Sequence, residues 1–132
     1  MAHIRVVCLF LLMVVGMGAL AEAAEHTKEP LTKVKQNIID EKAVLVDVRE
    51  EKEWDSGHID GATFLPLSSL RDGVTDDELK ALPKDKILYL HCRSGQRCLV
   101  AGEILSKYGF NIRVLKPGYE DLISAGFPKA EE

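Results

Sequence analysis

At 132 residues, 46% hydrophobic and 29% charged, the chain can build one globular domain and lacks the length for two. A formal charge of −4 without a basic run leaves no electrostatic footprint for nucleic acid. Three cysteines, one of them at position 8, are too few for a disulfide scaffold.

In chain order, residues 1–24 read as a targeting segment rather than fold material. Arg5 precedes an apolar block from Val6 to Leu20, and Ala19-Leu20-Ala21 and Ala21-Glu22-Ala23 each offer a small-x-small cleavage site. That pattern predicts a signal peptide cleaved within residues 21–24, hence an exported, periplasmic or secreted protein with no membrane anchor afterwards. The block falls short of the ~18 apolar residues of a membrane span. Residues 25–132 are then the single folded domain, opening with a polar lead from Glu25 to Glu29.

Leu31, Val34, Ile38 and Ile39 fall at helical spacing and predict an amphipathic helix ending near Asp40. The valine-rich run Ala43–Val48 predicts a buried strand. Glu50–Ser56 is consistent with one or two helical turns stopped by Gly57, and the stretch from Gly61 to Leu67 with a short strand that Pro66 ends. Two short helices follow, Leu67–Gly73 and Asp76–Leu82, the second capped by Thr75 with Glu78 as its capping-box partner. Ile87, Leu88, Tyr89 and Leu90 read as a short, continuous apolar strand, residues from Cys98 to Tyr108 as a helix with Gly109 at its end, Ile112–Leu115 as a last strand and Tyr119–Ala125 as a last helix. Alternating strands and helices predict an α/β fold with a mostly parallel central sheet covered by helices on both faces.

The chemistry concentrates between the third strand and its helix, in Cys92-Arg93-Ser94-Gly95-Gln96-Arg97-Cys98. Helix N-termini offer free N–H groups and a positive dipole end, and Arg93 and Arg97 add two cations, so Cys92 is expected to ionise readily. Thiols in such surroundings have pKa values of roughly 3.5–7.5, and the thiolate is the nucleophile. The alternative is a buried structural thiol. In parallel sheets ligands bind at the carboxyl ends of strands, where Cys92 falls.

These residues resemble the rhodanese family. Leu45-Val46-Asp47-Val48-Arg49 through Glu53, Gly57-His58-Ile59, Gly61-Ala62 and Pro66-Leu67 are similar to its N-terminal signature, Cys92–Arg97 to its active-site loop, and Val114-Leu115-Lys116, Gly118 and Gly126-Phe127-Pro128 to its C-terminal signature. Pro117 departs from a usual glycine, and Tyr119 and Leu122 from usual tryptophans. The resemblance implies a single rhodanese-like domain acting as a sulfurtransferase. Cys92 would take sulfane sulfur from a small anion such as thiosulfate, hold it as a persulfide and pass it to cyanide, a thiol or a protein acceptor. Arg93, Ser94, Gly95, Gln96 and Arg97 would form the substrate cradle, without metal or organic cofactor.

Two other functions compete. A sulfur-carrier module with little turnover would use the same thiol, whereas a cysteine phosphatase or arsenate reductase would need a Cys-x5-Arg loop. Here only four residues separate Cys92 from Arg97, a smaller cradle suited to one sulfur. Asp47 is a candidate for orienting loop amides or an arginine, and Arg49 for a fold-holding salt bridge. Cys98 is read as a small apolar residue under the first helical turn, with a resolving thiol as the alternative. His58 is read as structural, His91 as turned away from the thiol, and Trp54 as core. Asp72, Asp76, Asp77 and Glu78 read as a solvated face, with no histidine or cysteine nearby to make a metal site.

Overall fold

The computed structural model describes residues 25–131, so the expected signal peptide lies outside the described residues. Ten elements follow in order: α1 (Leu31–Ile39), β1 (Ala43–Asp47), α2 (Glu51–Ser56), β2 (Thr63–Phe64), α3 (Leu67–Asp72), α4 (Asp76–Lys80), β3 (Ile87–His91), α5 (Gln96–Ser106), β4 (Asn111–Val114) and α6 (Tyr119–Ser124). The strands form one sheet in the order β2-β1-β3-β4, every pairing parallel.

Each face of the sheet is sealed by helices, which explains why the central strands are apolar throughout rather than alternating. Successive side chains still point to opposite sides. Val46, Leu88, Leu90 and Val114 pack with Leu67 and Leu70 of α3 and Ala101 and Leu105 of α5. Ala43, Leu45 and Tyr89 pack instead with Val34 of α1, Leu122 of α6 and Phe127. Cys92 continues the parity of Leu88 and Leu90, and so points toward α5.

Local chemistry sets the element ends. Thr75 accepts from the Glu78 amide at 3.1 Å while the Glu78 carboxylate accepts from the Thr75 amide at 3.0 Å, the reciprocal cap expected from the sequence. The expected strand between Gly61 and Leu67 is shorter, only Thr63–Phe64 pairing with β1, because Pro66 lacks the N–H that would extend the ladder. The fifth helix begins at Gln96 rather than Cys98, so Arg97 already sits inside its first turn. The polar lead is also structured: His26 bridges to Val114 in parallel, and the Thr27 amide donates to the Val114 carbonyl at 2.8 Å. Glu41 alone among the described non-glycine residues has positive φ, 59°, in the α1–β1 turn.

The order of strands has a functional consequence. From β1 the chain moves to one side to make β2, then crosses back over β1 to lay β3 and β4 on the other side. The switch point therefore lies between β1 and β3, whose last residues Asp47 and His91 are register partners. Cys92 is the next residue.

Candidate active site

The Cys92 thiol is enclosed by its own loop. Its sulfur accepts from the Gly95 amide at 3.2 Å and from the Cys98 thiol at 3.4 Å. Hydrogen bonding from Cys98, opposed by burial and followed by the amides of Cys98, Gly95 and Ser94, brings the Cys92 thiol down to about 5. It is therefore a thiolate at neutral pH. The expected ionisation holds, but the leading causes are a neighbouring thiol and backbone N–H groups rather than the two arginines.

Cys98 is buried, as expected, yet it is more than an apolar filler. Bonding to Cys92 and burial push its own thiol up, so it stays protonated and available as a donor. Its single proton has three acceptors in reach, the Cys92 sulfur at 3.4 Å and the carbonyls of Gly95 and Leu115 at 3.3 Å each.

Two glycines make the cradle possible. Gly95 caps α5 in the left-handed region at φ 85°, and a Cβ there would stand 2.8 Å from the Lys116 carbonyl and 3.0 Å from His26 Nε2. Gly118 lies so close to the loop that any Cβ would overlap the Arg93 carbonyl. Beside it, the Tyr119 amide donates to the Cys92 carbonyl at 2.9 Å. The turn before α6 thus holds the loop from outside.

The loop side chains divide. Arg93, Ser94 and Gln96 are exposed at the mouth. Arg97 is turned aside into a bidentate ion pair with Glu53 of α2, 2.6 and 2.9 Å, which holds the Glu53 carboxyl at about 2. Arg97 thus braces the loop against α2 instead of reaching toward the Cys92 sulfur. Next to the mouth, Arg49, Lys52, Glu53, Ser56, Arg93, Tyr119, Glu120, Ile123 and Lys129 enclose a cleft of about 490 Å³. Lys52, Tyr119 and Lys129 were absent from the sequence-based candidates, since each lies far along the chain from the loop.

Below the cleft, Asp47 is fully buried and grips Arg49 through both carboxylate oxygens, at 2.8 to 3.1 Å. Arg49 also donates to the Gly57 carbonyl at 2.7 Å and stacks 4.2 Å under the Tyr119 ring. Asp47 therefore orients an arginine, and its carboxylate bonds no loop amide beyond that of Arg49. His91 Nε2 stands 3.7 Å from Asp47, and burial lowers the His91 pKa, so it is neutral and on the opposite face from the thiol. His58 is structural, donating through Nδ1 to the Trp54 carbonyl at 3.0 Å and stacking on the Trp54 ring at 3.6 Å. Trp54 itself is only half-buried, packed on His58 and Phe64 at the edge of the sheet rather than in the core.

Comparison with known proteins gives this arrangement a family. The Rhodanese-like domain family matches residues 30–125. The uncharacterized protein YqhL of Bacillus subtilis is 32% identical over 121 residues, covering 91% of this chain and 92% of its own. The Mycobacterium tuberculosis protein MoeZ, named a probable adenylyltransferase/sulfurtransferase, is 40% identical over 70 residues, 53% of this chain but 17% of that protein. Among solved structures, a rhodanese-related protein of Thermoplasma volcanium superposes with TM-score 0.63 at 32% identity, covering 76% of this chain and 94% of that one. The human single-domain sulfurtransferase TSTD1 superposes with TM-score 0.62 at 26% identity, covering 71% of this chain and 92% of that one. With the family match spanning the sheet, the Cys92 loop and α6, the chain belongs to the rhodanese-like domain family.

Proposed function

We propose that the protein is a sulfurtransferase in which Cys92 accepts sulfane sulfur from a small anionic donor such as thiosulfate and yields it to a thiophilic acceptor. The observation that carries this reading is a buried thiolate whose charge is met by the Gly95 amide and the Cys98 thiol at the switch point of a parallel sheet. In the first step the Cys92 thiolate attacks the outer sulfur of thiosulfate. An S–S bond forms to Cys92, the sulfur–sulfur bond of the donor breaks, and sulfite leaves with the electron pair. In the second, cyanide or a thiolate attacks the outer sulfur of the persulfide and Cys92 leaves as thiolate, the covalent division of labour that gives ping-pong kinetics.

The loop amides that now face the thiolate would face the persulfide anion. Arg93, Lys52 and Lys129 on the cleft wall supply positive charge for the donor's sulfonate end. Mass spectrometry of the protein before and after thiosulfate tests the reading: a gain of one sulfur atom on the Cys92 peptide is expected, removed again by cyanide. An unchanged mass with intact fold overturns it.

We also place this activity outside the cytoplasm, on the strength of the apolar block Val6–Leu20 and the small residues after it. Sequencing the N-terminus of protein recovered from the extracytoplasmic fraction should begin within residues 22–25. Retention of Met1 in the cytoplasmic fraction would refute the placement.

A further inference from the structure

The Gly95 peptide is central to the site because both of its polar ends are used. Its N–H faces the Cys92 sulfur at 3.2 Å, and its carbonyl lies 3.3 Å from the Cys98 sulfur and 2.7 Å from His26 Nε2. A carbonyl oxygen only accepts, so Nε2 carries the proton of that short contact. His26 reaches the loop from the opposite end of the chain. It is brought there by the parallel bridge to Val114, by the Thr27 amide on the Val114 carbonyl, and by Glu29, which accepts from Arg113 at 2.7 Å and from the Tyr89 hydroxyl at 3.0 Å.

We infer that His26 is a positioning residue of the sulfur site, acting through Gly95: it fixes the peptide plane that aims the Gly95 amide at Cys92. This rests on the reading of Cys92 as the sulfur-accepting thiolate. An immobilised Gly95 peptide keeps its N–H on the sulfur at 3.2 Å. Its carbonyl has two lone pairs, so it accepts from His26 while standing 3.3 Å from the Cys98 sulfur. Without the imidazole the peptide plane is held less firmly, and the nucleophile would lose part of the bonding that keeps it ionised.

The test uses the full chain and does not depend on sulfur transfer. Alkylation of Cys92 by iodoacetamide is followed across pH by peptide mass in wild type, His26→Ala, His26→Gln and Glu29→Gln, with thermal melting as the check on fold. For His26→Ala the midpoint of the alkylation profile is expected to rise by about half to one pH unit, the size of one modest hydrogen-bond effect. His26→Gln retains an N–H that can reach the carbonyl and should recover most of the shift. Glu29→Gln loosens the anchor without touching the loop and should move the midpoint the same way by less. A His26→Ala profile superimposed on wild type overturns the inference. So does a glutamine variant shifted as far as the alanine one, which would mean that ring packing and not the hydrogen bond matters, and so does an unmoved midpoint in Glu29→Gln. If wild type fails to take sulfur from thiosulfate, the proposed function falls while the alkylation profiles still decide the role of His26.

Discussion

At the scale of single residues, the site is a pair of thiols with opposite tasks. Cys92 is brought down to about 5 and carries the charge, while Cys98 is pushed up and lends the proton. Alkylation of wild-type Cys92 should therefore fall as pH drops through about 5 and stay flat above it. In Cys98→Ala the largest cause of that lowering is gone, so the midpoint should move upward by about one unit, the worth of a hydrogen bond to a charged group. Sulfur transfer at pH 8 should persist in this variant, because the amides remain. A profile identical to wild type would remove Cys98 from the role. Cys92→Ser should abolish sulfur loading while melting as wild type does, since a hydroxyl cannot hold a persulfide. The position of Cys92 was legible because an apolar strand, a cysteine, glycine and basic residues, and a helix follow one another without a gap. The role of Cys98 was not, because a small buried residue at a helix start looks the same in sequence whether its sulfur is a spectator or a donor. His26 left still less trace, lying in a short polar stretch with no period to place it.

At the scale of elements, the loop is braced from three directions: α2 through Glu53, the turn before α6 through Gly118 and Tyr119, and the N-terminal stretch through His26. The family resemblance implies a substrate-binding role for Arg97. Its place in the first turn of α5 pairs it with Glu53 of α2, a consequence of where the helix begins. The Glu53 carboxyl sits at about 2, below its ordinary value, so the pair adds stability above the unfolded carboxylate range and loses it as pH falls toward 2. Glu53→Gln should be less stable than wild type at neutral pH by about 1 kcal/mol or less, a half-exposed pair being partly screened. The difference should vanish in urea melts near pH 2. Gly118→Ala should cost more, because the added methyl displaces the Arg93 carbonyl and with it the loop; the expected outcome is a sulfur-transfer rate lowered at least tenfold. Wild-type kinetics in Gly118→Ala would mean that the turn yields without moving Cys92.

At the scale of the whole molecule, the alternation of elements and a mostly parallel sheet followed from periodicity and from the buried character of the central strands, and every pairing between the described strands is parallel. Their order in space did not, since which strand neighbours which is set by crossovers rather than by local pattern. The cleft wall was equally hidden: Lys52, Tyr119 and Lys129 meet only because α2, α6 and the C-terminal segment converge on one end of the sheet. The buried Asp47–Arg49 pair is the joint under that convergence. Asp47→Ala would leave a nearly buried guanidinium without its carboxylate and should destabilise by about 3–5 kcal/mol in denaturant unfolding. A loss below 1 kcal/mol would show that Arg49 finds another partner or water.

The bond from the Tyr119 amide to the Cys92 carbonyl also bears on timing. The loop is closed by a segment that follows it in the chain, so a chain emerging from synthesis carries Cys92 before it carries the turn that seats it. Until the loop folds and brings the Gly95 amide and the Cys98 thiol to the sulfur, the thiol has the acidity of a free cysteine, about 8.5, and is mostly protonated in neutral surroundings. Reactivity is thus withheld from the nascent and unfolded chain and conferred by the folding of the loop onto the start of α5. During refolding from urea at pH 6, alkylation of Cys92 should appear in step with formation of the loop and the first turn of α5, not with the earlier collapse of the core.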